Sequence, residues 1–253
     1  MIAVAGGKGG SGKTTTTVGL ARALSRRGAP VVAVDADWDL PNLTELAAET
    51  RASGTGSATD RGTADPDPIT GPDAATTRPN EASTRPNEAS TVVEALRNDE
   101  PIPLDRSRPT VLGAPKFPRS VDARTILDSL DGVLPDETPV LLDCPAGASP
   151  DAAAPLRVAD RCLLVTPLRR PALRDAAKTA AIARRLNCPP VGVVAVRTDS
   201  VPEPVADLFG CLVVERIPSA SPEPLSAPAV TAAYDGLARR LVEEYGAGRW
   251  RIA

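Results

Sequence analysis

Residues Gly6 to Thr15 read Gly-Gly-Lys-Gly-Gly-Ser-Gly-Lys-Thr-Thr and follow directly on the apolar run Ile2-Ala3-Val4-Ala5. Gly7 to Thr14 fits the pattern G-x-x-x-x-G-K-[ST]. Glycines in such a loop let the backbone wrap close to an anion, so that amide N–H groups converge on phosphate. Lys13 is placed to reach β- and γ-phosphates and the Thr14 hydroxyl to hold Mg²⁺. Thr15 to Arg26 reads as a helix whose positive amino-terminal end adds to the attraction. The order strand, loop, helix makes Gly7, Lys8, Gly9, Gly10, Ser11, Gly12, Lys13, Thr14 and Thr15 the candidate phosphate-binding set.

Working outward, the apolar runs Val31 to Val34, Val140 to Leu142 and Val191 to Val196 predict further buried parallel strands, with two more at Cys162 to Val165 and Leu212 to Val214. Pro109 to Gly113 supplies another strand. Helical spacing of apolar residues marks Ala172 to Leu186 and Pro228 to Glu244, with shorter helices at Val92 to Leu96 and Val121 to Leu130. Strands alternating with helices imply a three-layer α/β domain, its mostly parallel central sheet covered on both faces. One such domain is expected over residues 1–245, followed by a short flexible tail at 246–253.

Thr50 to Thr91 breaks the pattern. It is rich in Thr, Ala, Pro, Gly, Asp and Asn, and the heptapeptide TRPNEAS at Thr77 to Ser83 is repeated at once at Thr84 to Ser90. A tract so poor in large apolar residues buries too little surface to offset its ordering entropy, and a disordered insertion in a surface loop is expected.

Two carboxylate clusters accompany the glycine-rich loop. The second strand runs into Val34-Asp35-Ala36-Asp37-Trp38-Asp39-Leu40-Pro41-Asn42-Leu43. Asp35 and Asp37 share a face if the strand continues, at the carboxyl end where open α/β sheets bind ligands. Val140-Leu141-Leu142-Asp143-Cys144-Pro145-Ala146-Gly147 again ends an apolar strand in a carboxylate, and Asp143 is expected to hold the Mg²⁺ shell through water.

Lys8 sharpens the reading, because an ordinary phosphate loop does not need it. The chain has only four lysines, Lys8, Lys13, Lys116 and Lys178, and two of them sit in this loop. The stretch resembles the deviant Walker A motif KGGxGK[ST][ST] of the MinD/ParA ATPases. The acidic segment is similar to that family's switch I, D-x-D with a following N-L pair. Asp143-Cys144-Pro145-Ala146-Gly147 is similar to its switch II, and Ala159 to Pro167 to its AD-x-x-x-x-VT-P strand.

The resemblance implies that ATP and Mg²⁺ are bound and hydrolysed slowly. It also implies a homodimer in the ATP state, with Lys8 reaching the neighbouring subunit's nucleotide. Lys8, Lys13 and Asp37 become the catalytic candidates, and Thr14, Asp35 and Asp143 those for the metal. Relatives often place an Asn at the position of Val196 to read adenine. Here Val196-Arg197-Thr198-Asp199 leaves Arg197, with the Ile217-Pro218 turn, as the candidate base contacts. The role implied is MinD-like, a partner-stimulated switch that positions cell-division or surface machinery. ParA-like DNA partition and a non-hydrolysing nucleotide-binding scaffold are the alternatives, so a membrane surface, DNA and an unidentified protein activator all stay open as partners.

Composition excludes several other chemistries. The chain of 253 residues has no histidine, which removes Ser-His triads and His metal sites. Cys144, Cys162, Cys188 and Cys211 form no C-x-x-C pair and read as reduced residues of a cytoplasmic protein. A net charge of −3 argues against a basic nucleic-acid footprint over the whole surface. The first strand opens the chain, so no leader is expected, and no apolar run is long enough to span a bilayer.

Overall fold

The computed structural model describes residues 1–52, 90–97, 101–117, 121–147 and 149–245. Most of the tract read as an insertion (53–89) and the tail 246–253 lie outside the described residues. Seven strands form one sheet: β1 (Ile2–Ala5), β2 (Val32–Asp35), β3 (Thr110–Leu112), β4 (Val140–Asp143), β5 (Arg161–Pro167), β6 (Pro190–Val196) and β7 (Val213–Ile217). Their order is β3-β2-β4-β1-β5-β6-β7, and every pairing is parallel rather than mostly so.

Side chains of the central strands alternate between the two faces, as the period of a strand demands, while β6 is interrupted by an irregularity in its pairing. Ile2, Val4, Ala33, Leu141 and Leu163 face one apolar layer, which α1 (Lys13–Arg26), α2 (Leu43–Ala52) and α9 (Pro228–Tyr245) complete. Ala3, Ala5, Val34, Leu142 and Leu164 face the other. That layer is closed by α3 (Val92–Arg97), α4 (Ala123–Asp128), α5 (Leu130–Val133), α6 (Pro150–Val158), α7 (Arg170–Arg185) and α8 (Pro204–Phe209). With two layers to bury, the strands carry apolar residues at nearly every position, which is why they read as continuous runs.

Three helices depart from the sequence expectation. Helix α2 continues to Ala52, into the first residues of the tract expected to be disordered. Helices α6 and α8 begin at Pro150 and Pro204. Proline there looks like a breaker, yet the first helical position tolerates it because that N–H has no intrahelical partner anyway. The Ser149 hydroxyl caps α6 by accepting from the Ala152 N–H. Helix α3 starts on a reciprocal cap: Thr91 Oγ1 accepts from the Glu94 N–H, and Glu94 Oε2 accepts from the Thr91 N–H.

Candidate nucleotide-binding site

The loop from Gly6 to Gly12 joins β1 to α1 at the carboxyl edge of the sheet, with β4 on one side and β5 on the other. Gly10 (φ 70°) and Gly12 (φ 93°) both lie in the left-handed region, which glycine enters without steric cost. Gly12 occupies the cap position of α1, and no side chain there satisfies the helix's first N–H groups. Ser11 is buried, and its hydroxyl has no hydrogen-bond partner among the described residues. An uncapped helix start beside an orphaned buried hydroxyl is a site short of an acceptor, and a phosphate group supplies what is missing.

A cleft of about 780 Å³ crosses this helix end. Gly9, Gly10, Gly12, Lys13, Thr14 and Thr15 line its middle. One wall is formed by Asp37, Asn42, Glu45 and Glu49, from the loop after β2 and from α2. The other is formed by Val196, Arg197, Ile217, Pro218, Ala220 and Pro222, from the ends of β6 and β7 and the chain beyond them. Tyr234 of α9 also lines the cleft. Its ring fills the space over Gly19, where any Cβ would overlap it, and its hydroxyl lies 3.4 Å from Thr16 Oγ1. Burial pushes the Tyr234 phenol up to about 12.

The two strand-end carboxylates meet by register. Asp35 and Asp143 are direct neighbours across the β2–β4 pairing, and both are almost fully buried. The single proton of Thr17 Oγ1 is shared between two acceptors, Asp143 Oδ1 and the Lys13 carbonyl, each at 3.1 Å. Burial, and after it the neighbouring Asp35, raise the Asp143 carboxyl to about 7 against the opposing effect of Thr14, Lys13 and Thr17. Burial likewise raises Asp35 to about 6, against three backbone N–H donors. Those donors are Asp37 N–H to Oδ1 at 3.1 Å, and Asn42 and Leu43 N–H to Oδ2, each at 3.0 Å. Asp35 thus ties the loop after β2 to the start of α2.

Two adjacent buried carboxylates with the hydroxyls of Thr14 and Thr17 form a hard oxygen donor set that a cation would neutralise, which suits Mg²⁺. Among the described residues no three acidic or thiol side chains gather into a closed metal cage. Mg²⁺ ordinarily takes only one or two carboxylates and completes its shell with water and phosphate.

The loop residues divide into two groups. Lys13 is buried, with Nζ 3.5 Å from the Lys8 carbonyl. Gly7 turns away from the cleft and packs on α7, where a Cβ would run into the backbone at Asp175 and Ala176. Lys8 also points away from its own cleft; it is exposed, with Nζ 3.4 Å from Asp175 Oδ2. Lys178 shares that carboxylate, 3.5 Å from Oδ1. Asp37 lines the cleft and accepts the Leu40 N–H at 3.2 Å. Arg197, itself in the left-handed region at φ 58°, donates from its guanidinium to the Gly10 carbonyl. Asn42 is the first residue of the N-L pair that follows the acidic segment, whereas Thr17 and Tyr234 are members of the site that no motif announced. Only the helical spacing of Thr17, four residues after Lys13, could have pointed to one of them.

This arrangement has relatives. The family model described as the CobQ/CobB/MinD/ParA nucleotide binding domain matches residues 2–210. The chain belongs to that family. A 43-residue stretch is 58% identical to the septum site-determining protein MinD of Synechocystis sp., covering 17% of this chain and 16% of that protein. An uncharacterised ATP-binding protein of Methanocaldococcus jannaschii is 29% identical over 194 residues, 77% of this chain and 63% of the relative. The chain thus spans less than two thirds of either relative's length. Among solved structures, Pyrococcus horikoshii MinD complexed with Mg-ADP superposes with a TM-score of 0.69 at 19% identity, over 97% of this chain and 96% of that one. A ParA family ATPase from Chlorobium tepidum gives a TM-score of 0.65 at 15% identity, over 95% and 98%. The fold is that of the MinD and ParA P-loop ATPases.

Proposed function

We propose that the protein is a Mg²⁺-dependent ATPase that works as a dimerisation switch in the manner of MinD, with ATP favouring the dimer and hydrolysis releasing it. The observation that carries this reading is the division of labour between two lysines of one loop. Lys13 lines its own cleft, whereas Lys8 points out of it and rests on Asp175. An ammonium group held outside its own site is positioned to serve a facing copy, much as an arginine finger acts in trans.

Lys13 and the amino-terminal N–H groups of α1 would hold the β- and γ-phosphates. Thr14 and Asp143 would hold Mg²⁺, with Asp35 contributing charge through water, because three of its lone pairs are already occupied. When bound, the ion supplies charge neutralisation on the phosphate oxygens. Asp37 has one oxygen committed to Leu40 and would orient the attacking water with the other. Gly147, at φ 93° beyond β4, gives the switch segment a joint that can move on hydrolysis. The homologous fold in MinD makes positioning of cell-division or surface machinery the role favoured for the switch.

A second reading rests on α7. Arg169, Arg170, Arg174 and Arg185 are exposed and make no ion pair among the described residues. Such a stripe would suit DNA in a ParA-like partition protein.

The deciding experiment is Lys8→Ala, followed by sedimentation with ATP and by phosphate release. The variant should still bind ATP within about threefold while losing ATP-dependent dimerisation and at least about a hundredfold in turnover, the order expected for one trans cation. Normal dimerisation and turnover would refute the trans role. Co-sedimentation with liposomes against DNA separates the MinD-like from the ParA-like reading.

A further inference from the structure

Granting that the cleft holds a nucleotide, its walls also bear on which base is accepted. The phosphates belong at the middle of the cleft, over Lys13 and Thr14. The wall at α2 carries Asp37, Glu45 and Glu49, so its two apolar residues, Leu40 and Leu46, are set among carboxylates. A base therefore finds its apolar seat on the opposite wall, between Val196 and the segment from Ile217 to Pro224.

That seat is poor in groups that could read a base edge. Val196, Ile217 and Ala220 have no polar side-chain atoms. Pro218, Pro222 and Pro224 lack even a backbone N–H. The Thr198 N–H is already given to the Ile217 carbonyl at 3.2 Å. The Tyr234 hydroxyl is buried against Thr16. Asp199, two residues beyond Arg197, is exposed and does not line the cleft. What remains along the seat is main-chain: carbonyls, to which adenine and guanine both offer an amino or imino N–H, and the Ala220 N–H, to which both purines offer ring-nitrogen acceptors.

Arg197 is the exception, and its geometry suits a plate better than a reader. Its backbone adopts the left-handed conformation, uncommon for a residue with a side chain, and its guanidinium reaches back to the Gly10 carbonyl in the phosphate loop. The planar cation thereby bridges the end of β6 and the loop, beside the apolar seat. A guanidinium in this position stacks on either purine, because attraction between a cation and a π-face does not depend on the edge pattern. Strong discrimination needs a buried donor or acceptor that the wrong base leaves unpaired, whereas an apolar pocket separates near-isosteres weakly.

We infer that the base end of the cleft is a stacking slot covered by Arg197, one that reads a purine by shape and not by its edge. The protein then takes adenine and guanine nucleotides with affinities of the same order. The test is calorimetric titration of the full chain with Mg-ADP and with Mg-GDP, two products that report binding without turnover. Dissociation constants within about tenfold of each other are expected, the low end of what an apolar pocket can discriminate. In Arg197→Ala both should weaken together, by about tenfold, as loss of a partly desolvated cation–π contact implies. ADP binding with GDP more than tenfold weaker would overturn the inference while leaving the nucleotide reading intact. So would an R197A variant that weakens only one of the two, since Arg197 would then be reading an edge, or one that weakens neither. If neither nucleotide binds, the assignment of the cleft itself fails, and the inference with it.

Discussion

The two walls of the cleft are built on opposite principles. On the side of β2 and β4, charge is packed tightly and the three aspartates are committed to fixed partners. Asp35 holds three backbone N–H groups, Asp143 holds two threonine hydroxyls, and Asp37 holds a turn. On the side of β6 and β7, the wall is apolar and proline-rich, with a single cation laid along it. The first wall is preorganised for charge that must be stabilised at fixed points. The second needs only to exclude water and offer a flat surface. The contrast teaches that phosphate and metal chemistry demands residues at fixed places, whereas holding a base leaves wide freedom in sequence.

The sharpest way to break this comparison is to remove the one cation the charged wall depends on. Lys13→Ala takes away the ammonium group buried beside the α1 N-terminus. ATP affinity should fall at least about a hundredfold and turnover by about a thousandfold, in line with losing a preorganised electrostatic contact in a water-poor site. Filter binding and phosphate release would measure both. A variant retaining more than a tenth of either would mean that the loop binds something other than phosphate.

The next effect concerns the carboxylates themselves, without any ligand. Asp143 is raised to about 7 by burial first and by Asp35 second. The folded state therefore binds its proton more tightly than the unfolded chain does. Stability of the Mg²⁺-free protein should fall as pH rises from near 4 toward 7, and then level off. Between pH 6 and 7, above the Asp35 midpoint near 6, this one group should cost about 1 kcal/mol per pH unit. Asp143→Asn removes the titration. It should melt higher than wild type at pH 8 in chelator, with a flatter dependence on pH above 6. Identical slopes for the two proteins would mean that Asp143 is not under the strain its burial implies. Mg²⁺ should narrow the gap by stabilising the ionised wild-type site.

The same division governs what sequence could reveal. The glycine loop, Asp35 and Asp143 were legible because each sits at a fixed offset from a strand end, and the strands themselves are unbroken apolar runs. That Asp35 and Asp143 are direct neighbours was not legible, because it follows from strand order and register across more than a hundred residues of chain. Thr17 escaped notice because a threonine in a helix carries no signal until its partner strand is in place. The apolar wall was the least legible part. Arg197 and Pro218 were marked only through the family resemblance, and Tyr234, in a helix near the end of the chain, reads alone as ordinary core. Helices α2, α6 and α8 were missed for a related reason. Their starts depend on tertiary or capping contacts, such as Leu43 N–H on Asp35, and two of them begin at a proline.

The smallest expected effect tests the apolar wall. Tyr234 is almost fully buried, and its ring rather than its hydroxyl fills the hollow over Gly19. The hydroxyl lies 3.4 Å from Thr16 Oγ1, long for a bond between two oxygens. Tyr234→Phe keeps the ring and deletes that weak contact. Its cost should be no more than about 1 kcal/mol in a urea titration, near the net worth of one ordinary hydrogen bond. Nucleotide affinity should be unchanged, because the hydroxyl is turned toward α1 and reads nothing in the cleft. A loss of several kcal/mol, or a selective loss for one nucleotide, would show that this wall depends on its polar atoms as much as the opposite one does.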